Sequence, residues 1–306
     1  MENFKSYPFQ KFLDAHTRLN NYIKISTAAV DFLYKSTADT QELSSRINEL
    51  ILESGERWTP RIIKNPVLEL KQLKNDLSKT GIIWVYSSFD VFYKQVEGIL
   101  SNHFVKPTEV EEDDMDDDER KGSKIATLYN KLGWSMDRIE GIMPVLKFYE
   151  VLRHCVAHNM GQPSEKLISI SESNEFITSI KNWETKYIKK TISDPPIVTN
   201  ENIELRPHHS IMYSETSLRI AIDINRKMFD KLGLDHFVGI TIKSHLTNTN
   251  KLSEPCCSSY SRYIAYHLKK DFHISIPRYD EIYNYYKDKR KEEEDKKKYI
   301  TLKNSK

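Results

Sequence analysis

The sequence predicts an all-α fold, and three observations carry that prediction. Apolar residues recur near helical spacing over most of the 306 residues. Only 9 glycines serve that length, fewer than a sandwich or barrel with many tight turns would want. One short segment, 237–242, reads FVGITI and offers a strand, yet it serves equally well as a turn of helix.

The elements follow in order. Tyr22, Ile23, Ile25, Ala29, Phe32 and Leu33 form a stripe near helical spacing. Asp39 followed by Glu42 has the spacing of a capping box, with Leu43, Ile47, Leu50 and Ile51 as the face behind it. Pro60 and Pro66 then interrupt the pattern. The clearest helix follows Gly81, where Ile82, Val85, Tyr86, Phe89, Phe92, Tyr93, Val96, Ile99 and Leu100 hold one face. Residues 109–119 read EVEEDDMDDDE; they have no apolar period and lack the ligand spacing of a calcium loop, so they predict a flexible loop or disordered insert. Ser123 can cap a short helix through Ile125 and Leu128, which Gly133 ends. A helix beginning near Pro144 carries Val145, Leu146, Tyr149, Leu152 and Val156 on one side, and Gly161 and Pro163 stop it.

Beyond that, 164–190 reads as a helix or helical pair, and Pro195-Pro196 marks a turn. Residues 214–232 form a helix with Leu218, Ala221, Ile222, Met228, Phe229 and Leu232 on one side and Gly233 as its stop. The end, KDKRKEEEDKKKYITLKNSK, is a solvated helix or a disordered tail. The organisation expected is an N-terminal helical region 1–76, a central helical domain 77–235 with its acidic loop at 109–120, and a C-terminal region 236–306 with a charged tail.

Charge and cysteine usage narrow the class. The net charge of +2 hides nine acids with no base in 109–119, so the rest of the chain is basic enough to meet a polyanion such as RNA. A plain soluble surface with one acidic loop accounts for the same numbers. Three cysteines, Cys155 and the pair Cys256-Cys257, make no CxxC and no even framework, which suits a reducing cytoplasm. The first residues lack the apolar core of a signal peptide, and no window is apolar enough to span a bilayer, so no membrane role is expected.

The chemistry concentrates in Arg153-His154-Cys155-Val156-Ala157-His158-Asn159, at the end of the helix that starts near Pro144. RNA carries its own nucleophile, the 2′-hydroxyl, and can be cut without a metal. That oxygen must lose a proton, and negative charge must be held on the phosphoryl oxygens. An imidazole titrates near neutrality and can serve as base and then acid. A guanidinium is always charged, and its planar fork matches phosphate oxygens. Arg153 and His158 therefore make a minimal kit for transesterification, yielding a 2′,3′-cyclic phosphate and a 5′-hydroxyl. The chemistry calls for no cofactor and no metal. On an ideal helix the two side chains stand about 140° apart, so either the helix loosens near Asn159 or two copies combine.

Arg-x4-His at the end of an apolar helix resembles the signature of the HEPN superfamily, the higher eukaryote and prokaryote nucleotide-binding domains. His154 fits the polar second position, and Asn159-Met160-Gly161, the long helix containing SSFDVFYKQVEGIL and the helix at 214–232 look similar too. The resemblance covers about 77–235. It implies a HEPN-like helical bundle and a metal-independent endoribonuclease. It further implies a homodimer with one composite cleft, and a place in toxin–antitoxin or antiviral abortive-infection defence. The catalytic candidates are then Arg153, His158 and His154, with Asn159 and Asp90 in support; the plain alternative for Asp90 is an ordinary solvated carboxylate. Some members carry a Tyr two positions after the His, which a partner enzyme modifies. Met160 stands there in this chain, so restraint would fall to a regulatory protein partner, the acidic insert or the flanking regions.

Two other classes compete. A non-catalytic helical module that binds nucleotides or proteins would share the same helices. Glu150, His154 and His158, spaced i, i+4, i+8, resemble a metal half-site to which His208-His209 could add a ligand. Trp84 and Tyr93 could stack on bases or simply fill the core.

Overall fold

The computed structural model describes residues 4–37, 39–58, 63–104, 124–186, 195–253, 257–276 and 278–305. The acidic run 109–119, Pro60, Ser123 and Cys256 lie outside them. The fold is all-α, with one two-stranded exception. Among the described residues no helix is long and apolar enough to cross a membrane.

The chain divides into two compact units, Phe12–Ile220 and Met1–Lys11 with Ala221–Lys306. The expected limits at 76/77 and 235/236 both fall inside helices, Pro66–Leu100 and Pro207–Ile242.

The larger unit takes most of α1 (Tyr7–Lys35), then α2 (Thr40–Glu53) and α3 (Pro66–Leu100). Asp39 caps α2 as its spacing predicts, its carboxylate accepting from the Glu42 amide at 2.8 Å. α3 starts fifteen residues before Gly81, because Asn65 caps it and Pro66 supplies the preset φ of a first turn. The apolar period does not announce this extension, since Leu68 and Leu73 face solvent. α4 (Lys124–Leu132) ends at Gly133, whose φ of 64° is left-handed. α5 (Met143–His158) begins with Pro144 in its first turn. The described part of the 164–190 segment, to residue 186, is a pair, α6 (Glu165–Glu172) and α7 (Asn174–Lys186). A hairpin of β1 (Ile197–Val198) and β2 (Ile203–Glu204) leads into α8 (Pro207–Ile242), which Gly233 breaks with φ 75° and ψ 170°.

α3 and α5 lie side by side and build the core of this unit. Ile82, Val85, Phe92, Val96 and Leu100 of α3 and Val145, Phe148, Tyr149 and Leu152 of α5 are essentially inaccessible to water. Each such side chain contributes about 1.5–3 kcal/mol. Phe12 meets Phe89 and Phe92 at 5.6 and 5.5 Å, Phe148 stacks on Phe176, and Tyr149 on Tyr213.

Gly81 has a packing reason for its place inside α3. A Cβ there would stand 2.6 Å from the Ser210 Cβ and 3.1 Å from Ile23. Gly81→Ala is expected to lower the unfolding free energy by about 1–3 kcal/mol despite its better helix propensity. Urea titration checks this, and adding Ser210→Gly to the variant should recover part of the loss. An unchanged or raised midpoint in Gly81→Ala would show that the contact is not this close.

The smaller unit contains 4–11, the end of α8 with a π turn (Lys243–Thr247), α9 (Tyr260–Phe272), a 3₁₀ stretch (Tyr279–Tyr285) and α10 (Lys289–Asn304). The ambiguous 237–242 segment is helix. Phe4 packs on Phe229 and Phe237, each at 4.8 Å, and Phe237 on Phe272. Asn225 clamps the segment by accepting from the Ser6 amide and donating to the Phe4 carbonyl. The charged C-terminal stretch is a helix tied down at Tyr299, which is buried and donates to the Cys257 carbonyl.

Candidate functional site

α5 stays helical through His158, and Asn159 (φ −107°, ψ 21°) leaves helical space. The amides of Asn159 and Gly161 both donate to the Cys155 carbonyl at 3.0 Å, folding the chain back on the helix end. Met160 adopts a left-handed φ of 53° and is 93% exposed, so this turn stands out in solvent. Cys155 itself is buried against the Ser164 hydroxyl.

Within one chain, Nη1 of Arg153 lies 3.4 Å from Nε2 of His158. The expectation that an intact helix keeps these groups apart is corrected here. The angle between Cα positions holds, but the Arg side chain is long, and the His158 side chain leans back toward the preceding turn, as helical side chains do. A guanidinium can only donate, so Nε2 accepts with its lone pair and the ring hydrogen sits on Nδ1. The His154 ring sits one turn below, 4.8 Å from that of His158.

Arg153 is held from beneath. Its guanidinium carbon lies 3.5 Å from the centre of the Tyr86 ring on α3, a cation–π stack that fixes the plane of the fork. Among the described residues no carboxylate forms an ion pair with it, Glu150 being the one whose carboxyl its charge acts on, and its buried Nε has no hydrogen-bond partner. The plain role for an Arg at a helix end, clamping an acid, is therefore not realised among these residues. The Lys79 side chain reaches the turn as well, its Nζ 3.6 Å from where a Cβ on Gly161 would stand.

Asp90 does not reach Arg153. It binds Lys124 at 2.9 Å and Lys94 at 2.7 Å. Burial alone would raise its carboxyl, but the two lysines outweigh burial and hold it below the usual carboxylate range. Asn159 acts through its backbone, closing the helix.

Glu150 stands apart from the metal half-site in which its spacing placed it. Tyr86, Phe89, Asp90, Tyr93, Lys124, Ile125 and Glu150 line a recess of about 20 Å³ between α3, α4 and α5. That holds one water and no nucleotide. Burial pushes the Glu150 carboxyl up to about 8, against the pull of the Lys124 and Arg153 charges, and its Oε2 has no hydrogen-bond partner. Tyr213, fully buried with an unpartnered hydroxyl, is pushed well above its ordinary value by burial and by the nearby Glu150 carboxyl. Tyr86 is not marked by the sequence because it sits in an apolar helical pattern, and Glu150 is marked only as a metal ligand, not as a buried acid.

The Glu150 proton has a consequence for stability. The folded chain keeps it to about pH 8, whereas an unfolded carboxyl releases it near 4.5. This contribution is therefore full below pH 4.5 and is lost as pH rises through 8. The ceiling is about 5 kcal/mol, lowered because part of the side chain reaches water. Glu150→Gln should flatten the decline in urea midpoint between pH 5 and 9. An identical slope in wild type and variant would mean the folded carboxylate is already ionised at pH 5.

Comparison with known protein families, characterised proteins and solved structures finds no match. The site must be read from its own geometry.

That geometry does not gather the proposed metal half-site. Among the described residues, the group of three whose donor atoms come within 4.8 Å of one another is His245, His267 and Asp271, not Glu150, His154 and His158. His209 is buried, and its Nδ1 accepts from the Arg206 amide at 2.9 Å. Of the two aromatic candidates, Tyr93 is core and Trp84 is half-buried against Tyr22.

Proposed function

We propose that this chain is a metal-independent endoribonuclease of the HEPN type, with Arg153 and His158 as its catalytic pair. One observation carries the reading: a guanidinium stacked on Tyr86, with no carboxylate partner among the described residues, meets an exposed imidazole at 3.4 Å. Once Arg153 turns from Nε2 to the phosphate, His158 takes the proton from the ribose 2′-hydroxyl on Nε2 and returns it to the leaving 5′-oxygen. Arg153 holds the charge that grows on the phosphoryl oxygens. His154, one turn back, positions the His158 ring, and Lys79 draws the neighbouring phosphate.

The homodimer implied by the family resemblance now rests on that resemblance alone, since both groups meet inside one chain. A role in toxin or antiviral defence, cytoplasmic action and control by a partner protein rest on it too.

The test is incubation of the full chain with total RNA in excess chelator, beside a single-stranded DNA of matched length. Cleavage of RNA but not DNA is expected, unaffected by chelation. Loss of cleavage on chelation would replace this reading with a metal enzyme, and intact RNA throughout would favour the non-catalytic binding module.

A further inference from the structure

The smaller unit contains a second cluster that the ribonuclease reading does not use. We propose that His245, His267 and Asp271 form a binding site for a divalent transition-metal cation of the zinc class. His267 and Asp271 stand four residues apart on α9, so they share one face. His245 comes from the π turn after α8, an irregularity that re-aims side chains and recurs at functional sites. The three donor atoms lie within 4.8 Å of one another. The two imidazoles are nearly parallel, with centres 3.9 Å apart and planes 20° apart.

The decisive member is His267. It is wholly buried, yet neither ring nitrogen has a hydrogen-bond partner. A buried polar group left unpaired is costly, and a cation at the ring edge, in line with the lone pair of one His267 nitrogen, would satisfy that nitrogen. His245 is already prepared for the role. Its Nε2 lies 2.5 Å from Oδ2 of Asp271, so a metal would replace the proton they share. Its Nδ1 lies 3.0 Å from the Ser253 hydroxyl, the outer contact that fixes the tautomer of a ligating histidine. Tyr263 braces both sides, accepting from the Ser253 amide and donating to the His245 carbonyl.

Two imidazoles and one carboxylate are the donor set of zinc and its neighbours, not of calcium or magnesium, which prefer all-oxygen shells. His245 and Asp271 are partly exposed, with side-chain accessibilities of 19% and 30%. A fourth position is therefore open to water or to a small anionic ligand.

The full chain, stripped with chelator and dialysed against Zn²⁺, should retain one equivalent at this cluster and show a raised unfolding temperature. Co²⁺ in its place should give the visible absorption of a low-coordinate nitrogen–oxygen site. His245→Gln and Asp271→Asn should each weaken Zn²⁺ binding at least about 10-fold, with Ser253→Ala following at about 10- to 100-fold. His267→Ala opens the core, so the two partly exposed ligands carry the test. His208→Gln and His154→Gln should bind as the wild type does. Wild-type protein that retains no Zn²⁺, or retention unchanged in both His245→Gln and Asp271→Asn, would overturn the proposal. Either result leaves the ribonuclease reading where it stands.

Discussion

Arg153→Ala is expected to lower RNA cleavage by about 10²- to 10³-fold, the effect of removing a donor aimed at transition-state charge. Arg153→Lys should recover little of this. A lysine ammonium is a point charge on a flexible stem; it cannot lie flat on Tyr86 and present two parallel donors. The stack on Tyr86 contributes about 1 kcal/mol, so the variants should unfold at nearly the wild-type midpoint. Tyr86→Leu keeps the apolar packing and removes the platform, and should weaken cleavage less than Arg153→Ala. If Arg153→Lys cleaves as fast as wild type, the guanidinium fork has no special role. A collapse of the unfolding midpoint in Arg153→Ala would instead mark the residue as structural.

His158→Ala is expected to cost about 10²- to 10⁴-fold in cleavage rate, the range for losing a positioned base and acid. His158 is exposed at the helix end, so its removal should leave stability unchanged. Added imidazole should restore part of the activity. The double variant Arg153→Ala/His158→Ala should be little worse than the slower single variant, because the two groups act as one unit. Losses that multiply would mean that the two side chains act separately. Retained cleavage in His158→Ala, with the loss appearing in His154→Ala, would move the base one turn down the helix.

The all-α class, the α2 cap at Asp39 and the stop at Gly233 were legible because each depends on neighbours in sequence. The apolar stripe of α3 was equally plain, yet the true start at Pro66 was hidden, since the added turns expose Leu68 and Leu73. The β1–β2 hairpin is too short to show any period. At the site, Arg153 and His158 could be picked out by residue chemistry, but not their contact. Turn arithmetic locates backbones, whereas the meeting depends on the reach of one long side chain.

Glu150 marks the sharper limit. Its spacing placed it on the polar face with His154 and His158. Its burial follows from α3 and α4 closing over it, a long-range contact that no local pattern encodes. Tyr86 was masked in the opposite way, as one ring in an apolar stripe whose face takes the Arg153 guanidinium. The His245–His267–Asp271 cluster joins a π turn to two side chains on the following helix, more than twenty positions from His245. Neither the turn nor the pairing leaves a sequence signature.

The most direct measurement is the chemistry of the cut ends. An RNA oligonucleotide incubated with the full chain in excess chelator should yield a 2′,3′-cyclic phosphate on the upstream fragment and a 5′-hydroxyl on the downstream one. Replacing the ribose at the scissile position with 2′-deoxyribose should abolish the cut. Fragments ending in 3′-hydroxyl and 5′-phosphate, or cleavage that survives loss of the 2′-hydroxyl, would contradict an imidazole and a guanidinium acting together on a ribose phosphate.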